Sequence, residues 1–215
     1  MTASVQIHGE TLTLLAERAV FWGRTQTLLV ADPHFGKAAT FRALGVPVPR
    51  GTTTETLLRL DTLLACTHAR RLIFLGDFLH AREGRSPETL RVIAEWRAKH
   101  ALVEVVLVRG NHDKRAGDPP RELEIRCVEG SLVEAPFVFT HKPARSDDGY
   151  VLCGHVHPGV RLTGTAHQSR RLPCFWFSNE TAVLPAFGEF TGLALVEPAP
   201  GDRVWVVAGD EVIAA

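Results

Sequence analysis

The sequence predicts an α/β layered domain, two sheets packed face to face with helices outside, and three observations carry that reading. The first half alternates short β-branched apolar runs with longer helical patterns. After residue 120 the helical pattern stops and short strands dominate. The 215 residues can bury a full core, and 45% apolar with 22% charged residues excludes wholesale disorder.

Taken in order, 27–30 is expected to be a strand. Residues 53–67 read as an amphipathic helix with Leu57, Leu58, Leu60, Leu63 and Leu64 on one side. Residues 72–75 are again strand-like. A helix over 87–99 opens with Ser86 as N-cap and Pro87 at its first position. A strand over 103–108 follows. The second half supplies strands at 123–127, 136–140, 150–153, 159–164, 174–177, 182–184, 192–196 and 203–207. The Pro/Gly-rich stretches 45–52, 117–120 and 198–202 read as surface loops. With no repeat and no low-complexity linker, residues 1–215 read as a single domain.

Formal net charge is zero, so affinity for an anionic partner must come from a local arrangement of Lys and Arg. Cys66, Cys127, Cys153 and Cys174 are widely spaced with no CxxC pair. Three of them adjoin apolar segments, which suits buried, reduced, structural thiols. The N-terminus has neither a basic start nor an apolar h-region, and no apolar run reaches membrane length. These features predict a cytoplasmic protein without membrane association.

The polar residues sit where the apolar runs end. The run 27–30 leads to Asp32-Pro33-His34, 72–75 to Gly76-Asp77, and 103–108 to Gly110-Asn111-His112-Asp113. The run 137–140 leads to His141, and 151–153 to Gly154-His155-Val156-His157. Ligands in open α/β sheets bind beyond the carboxyl ends of strands, so these five ends can converge. The spacer in D-x-H and H-x-H lets alternate side chains point the same way. Carboxylate, amide and imidazole donors without thiolate suit divalent manganese, iron or zinc. Two such ions ~3.5–4 Å apart polarise a phosphoryl oxygen and generate hydroxide from water. A bridging carboxylate is needed, and Asp77 is the natural candidate. Alone, Asp32 is a turn residue and His141 a core histidine; five clusters in order, each after a strand, are not coincidence.

Basic residues follow every cluster: Lys37 and Arg42, Arg82 and Arg85, Lys114 and Arg115, Lys142 and Arg145, then Arg161. They predict a positive rim able to contact several phosphates, with Lys37, Arg42, Arg82, Lys114 and Arg115 as substrate-binding candidates. Phe35 and Phe41 lie near these loops, either as core or as surfaces for stacked bases.

The ordered set D-x-H, G-D, G-N-H-D, single His, G-H-x-H resembles the calcineurin-like metallophosphoesterases over roughly 30–160. The resemblance implies a four-layer α/β/β/α sandwich of two mixed sheets flanked by helices. It implies one metal held by Asp32, His34, Asp77 and His157 and a second by Asp77, Asn111, His141 and His155. His112 would contact the scissile phosphate or help the leaving group depart. Many relatives read G-D-x-x-D-R, where the second Asp orients the His of G-N-H-D. Here His80 stands in that place, which leaves His112 without that carboxylate. His80 either reaches the substrate phosphate or packs beside the site.

The runs L-G-D-F-L-H-A, R-L-P-C-F-W (171–176) and L-P-A-F-G-E-F-T-G (184–192) further resemble the bacterial ligase-associated DNA damage response endonucleases, the PdeM group. That resemblance implies a manganese-dependent phosphodiesterase cutting DNA in repair, beside a DNA ligase, a helicase and an exonuclease. The nearest alternative is a phosphodiesterase or pyrophosphatase acting on nucleotides or other small phosphoesters. A non-catalytic scaffold of this fold would have lost ligands or His112, and none is missing. Apolar strands after 170 are compatible with a homodimer.

Overall fold

A computed structural model describes residues 2–49, 51–163 and 169–215. Three antiparallel strands open the chain: β1 (Ala3–Ile7), β2 (Glu10–Leu15) and β3 (Ala19–Trp22). Sequence analysis does not assign them. Their pattern is nonetheless regular, because Val5, Ile7, Leu12 and Leu14 alternate into the core. His8 and Gly9 both take the left-handed backbone that reverses a tight hairpin (φ 48° and 80°).

The parallel strands β4 (Thr27–Val30), β5 (Arg71–Leu75) and β6 (Glu104–Val108) continue the sheet, and β7 (Arg126–Val128) closes it in the order β1-β2-β3-β4-β5-β6-β7. The central strands read as unbroken apolar runs because both faces are covered. Helix α1 (Lys37–Ala43), which the sequence analysis does not assign, follows β4. Helices α2 (Thr52–Thr67) and α3 (Pro87–Lys99) cover the outer face, packing Leu57, Leu60, Leu63, Ile93 and Trp96 onto Leu28, Phe74 and Leu107. Leu58 departs from the expected apolar side: one residue turns a helix about 100° from Leu57, and Leu58 is exposed. Ser86 caps α3 as expected, its Oγ accepting from the Thr89 N–H at 3.1 Å.

The second sheet contains β8 (Ser131–Glu134), β9 (Phe137–Thr140), β10 (Tyr150–Cys153), β11 (Pro158–Thr163), β12 (Ser169–Phe177), β13 (Thr181–Val183) and β14 (Ala194–Leu195). Its order is β14-β11-β12-β13-β10-β9-β8, with β15 (Arg203–Ala208) on β12 and β16 (Glu211–Ala214) on β15. Both sheets mix parallel and antiparallel pairs. Leu12, Leu29, Ile73 and Val106 of the first sheet meet Phe137, Phe139, Leu152 and Phe175 of the second in one core. Two mixed sheets flanked by helices are the predicted α/β class.

Several boundaries move. The strand expected at 123–127 begins later, because Arg121–Leu123 forms a 3-10 turn whose Leu123 carbonyl accepts from Arg97 Nε at 2.9 Å. The expected strand at 192–196 contracts to β14, and β8 and β16 are additional. Position 164 of the strand expected over 159–164, and position 50 of the 45–52 loop, lie outside the described residues. All four cysteines are free; Cys153 and Cys174 are buried, whereas Cys66 is exposed on α2 and Cys127 half-buried. Burial pushes the Cys127 thiol up to about 11 and Cys174 up to about 12, so both stay protonated near neutrality. No helix among the described residues is long and apolar enough to cross a membrane.

Candidate metal centre

Strands β4, β5 and β6 run parallel in one sheet and β9 and β10 in the other, and the loops after these five strands meet at one edge of the sandwich. The loops are sharply bent. Asp32, His34, Asp77, His155 and His157 all have positive φ (50°, 47°, 52°, 70° and 53°), a region costly for residues with a Cβ. Hydrogen bonds between loops hold them there. The His34 N–H donates to the Asp77 carbonyl at 2.9 Å, and the His155 N–H to Asp32 Oδ2 at 2.8 Å. The His112 N–H donates to Asp77 Oδ1 at 2.9 Å.

The predicted residues fall into two adjoining groups. Asp32, His34 and His157 bring one donor atom each within 4.8 Å of one another, and so do Asp77, His141 and His155. Asn111 joins the second, its Oδ1 2.9 Å from His141 Nε2. Asp77 faces both: Oδ2 lies 3.8 Å from His34 Nε2 and Oδ1 lies 3.4 Å from His141 Nε2.

These donors fit divalent cations. Asp32 Oδ1 is buried without any hydrogen-bond partner, a costly state for a carboxylate oxygen unless a cation satisfies it. His141 Nδ1–H donates to the Leu75 carbonyl at 3.0 Å, which turns the lone pair of Nε2 toward Asn111 Oδ1. Two acceptors then face each other with no proton between them. Burial, reinforced by the charge of Asp77, holds the Asp32 carboxyl well above its usual range, and burial raises Asp77 as well. Burial lowers His34, His141 and His155, and takes His157 down to about 4. The imidazoles are therefore neutral, the form that binds metal, around two buried carboxyl groups.

His112 and His80 lie beside these groups. In place of the carboxylate absent from position 80, His112 Nδ1 lies 2.6 Å from the His80 carbonyl oxygen. Position 80 thus orients His112 through its backbone carbonyl. The two rings stack with centroids 4.8 Å apart and 20° between planes. His80 Nδ1 also meets His34 Nδ1 at 3.3 Å, which fits the His34 tautomer that leaves Nε2 free toward Asp77. Asp113, to which the sequence analysis gives no role, is buried and accepts from the Gly110 N–H at 2.8 Å and the Leu79 N–H at 3.2 Å. It ties the second and third loops together; its only signal was its place at the end of G-N-H-D.

The basic candidates divide. Lys37 is half-buried in the first turn of α1 and feels the charges of Asp32 and Asp77. Arg82, at the start of a 3-10 turn, and Arg115, in the short helix Asp113–Ala116, are exposed neighbours, Arg82 Nε donating to the Arg115 carbonyl at 3.3 Å. Arg42 instead donates to the Pro49 carbonyl at 2.9 Å and serves its own loop. Lys114 pairs with Glu129 at 2.8 Å on the surface. A cleft of about 530 Å³ opens beside Asn111 and His141, walled by Arg109, Lys114, Lys142 and Arg145.

The run 184–192 braces the first loop. The Phe187 N–H donates to the Ala31 carbonyl at 2.8 Å and the Gly188 N–H to the Asp32 carbonyl at 3.1 Å. Glu189 is gripped by Arg18 at 2.8 Å and by Arg59, whose guanidinium also lies 4.1 Å over the Phe187 ring. Glu189→Ala leaves two part-buried guanidiniums unpaired. It is expected to lower Tm, by roughly 2–4 °C per kcal/mol lost in a chain of this size, and to weaken metal binding. Glu129→Ala at the surface should do neither; differential scanning calorimetry with and without metal separates the two.

The calcineurin-like phosphoesterase family profile matches residues 25–187. Among solved structures, Pseudomonas putida nuclease MPE is similar over 100% of both chains, at 42% identity and a TM-score of 0.88. Yfce, a phosphoesterase from E. coli, is 15% identical over 87% of this chain and 96% of that one, with a TM-score of 0.43. No curated protein sequence matches the chain.

Proposed function

The chain belongs to the calcineurin-like phosphoesterase family, whose members hydrolyse phosphoesters at a binuclear divalent metal centre, and from this premise we propose that it is a nuclease cutting single-stranded or structured DNA. The observation that carries the DNA reading is the presence of basic residues on two sides of the proposed metal-binding groups. Lys37, Arg82 and Arg115 lie on one side, and Lys142 borders the cleft on the other, beside an Arg145 that is paired with Glu180 at 2.8 Å. A polymer with phosphates before and after the scissile bond uses both sides. The full-length likeness to a P. putida nuclease supports the same reading.

In this proposal Asp32, His34, Asp77 and His157 hold one ion, and Asp77, Asn111, His141 and His155 the other. Bound there, the pair supplies charge to polarise a phosphoryl oxygen and to activate water at neutral pH. The donor set suits manganese, with iron or zinc chemically compatible. With Nδ1–H held by the His80 carbonyl, His112 presents Nε2 to the substrate. As an imidazolium it hydrogen-bonds the scissile phosphate and gives its Nε2 proton to the departing oxygen, which leaves with the electrons of the broken P–O bond. Asn111 Oδ1 and His141 Nε2, 2.9 Å apart, would both face the second ion, and the His80 ring keeps His34 and His112 in register. A place in DNA repair beside a ligase, a helicase and an exonuclease belongs to the same proposal.

The test compares single-stranded DNA, bis-p-nitrophenyl phosphate and p-nitrophenyl phosphate in the presence of manganese. DNA and the diester should be cut; cleavage of the monoester alone would contradict the nuclease reading, and cleavage of small diesters without DNA would favour the nucleotide alternative. Lys114→Ala should weaken DNA binding and reduce the salt slope by about one, leaving the small diester unaffected. Equal loss on both substrates would put Lys114 at the reacting phosphate.

A further inference from the structure

Resting on the nuclease reading, we infer that Phe190 is a stacking platform for a nucleobase of a single strand whose phosphodiester lies at the metal centre. Phe190 occupies the loop 188–192, which is tied at both ends to loops carrying proposed metal ligands. At one end the Gly188 N–H donates to the Asp32 carbonyl at 3.1 Å; at the other the Ala194 N–H donates to the His157 carbonyl at 3.0 Å. Thr191 Oγ1 closes the loop on the Gly188 carbonyl at 3.2 Å. The preceding residue, Glu189, is fixed by Arg18 and Arg59. The platform is thus held in place beside Asp32, His34 and His157.

Phe190 is 50% exposed and is the one aromatic among the exposed large hydrophobic residues described. Its φ is 57°, a left-handed conformation unfavourable for a bulky side chain. Exposure and strain both work against folding, and the ring contributes nothing to a core, so its position calls for a ligand. Together with Pro33, His34 and Lys37 it lines one shallow cleft. Lys37 supplies a cation for a neighbouring phosphate while the ring offers a π-face, the pairing by which sequence-tolerant single-strand sites work. Bases in a duplex are already stacked and paired, so this surface selects strands whose bases are free. The aromatic candidates from the sequence do not fill this role. Phe35 is buried at 2% exposure. The Phe41 ring packs against His80, with centroids 6.0 Å apart, and beneath Lys37 at 5.9 Å.

The experiment measures manganese-dependent cleavage of an oligothymidylate and of an equal-length strand whose central nucleotides are abasic tetrahydrofurans. Wild type should prefer the base-bearing strand. Phe190→Ala should lose roughly tenfold on that strand, within the range for one stacked base, and little on the abasic strand; Phe190→Trp should retain the preference. Phe190→Ala behaving as wild type on both strands overturns the inference. Equal loss on both strands also overturns it, since that marks a merely structural loop. Wild type cutting neither strand while hydrolysing bis-p-nitrophenyl phosphate overturns the nuclease reading itself, a result distinct from the other two.

Discussion

Asp77→Ala should abolish phosphodiester hydrolysis on DNA and small esters alike and lower metal occupancy below two ions per chain. Asp77 is turned to both groups, 3.8 Å from His34 Nε2 through Oδ2 and 3.4 Å from His141 Nε2 through Oδ1. It also accepts the His112 N–H, so its loss frees the loop that presents the proposed proton donor. Loss of an outer-shell partner alone typically costs about 10–100-fold; removing the shared ligand should exceed that. Burial already disfavours the Asp77 carboxylate in the metal-free chain. The substitution should therefore change metal-free Tm little while erasing the rise in Tm that manganese produces. Rates near wild type would refute the ligand assignment.

Gly110→Ala should be nearly as damaging, although no donor atom is removed. A Cβ at this position would stand 2.1 Å from Asp77 Oδ1 and 2.5 Å from the Asp77 backbone nitrogen. Neither atom can yield, because the carboxylate is held by His112 and the backbone belongs to the bend after β5. Metal stoichiometry, measured by equilibrium dialysis, should fall with activity. A Gly110→Ala enzyme that keeps two ions and full rate would show that the second and third loops are not packed as described.

The proposed metal-binding residues were legible because metal chemistry restricts residue type and strand ends restrict position. Asp32, His34, Asp77, Asn111, His141, His155 and His157 all converge from five loops. What the sequence hid were contacts made through the backbone or across long separations. The His80 carbonyl that orients His112 has no side-chain signature. The Glu189 grip joins residues 171 and 130 positions apart. Phe190 resembled any core phenylalanine until its loop was placed between Asp32 and His157. Strands β1 to β3 went unassigned although their alternation is regular, because short half-buried strands carry a weaker signal than the continuous runs of β4 to β6.

Anomalous diffraction from manganese-soaked crystals tests the binuclear centre most directly. The expected result is two peaks about 3.5–4 Å apart, one among Asp32, His34, Asp77 and His157, the other among Asp77, Asn111, His141 and His155. A single peak, or peaks away from Asp77, would contradict it.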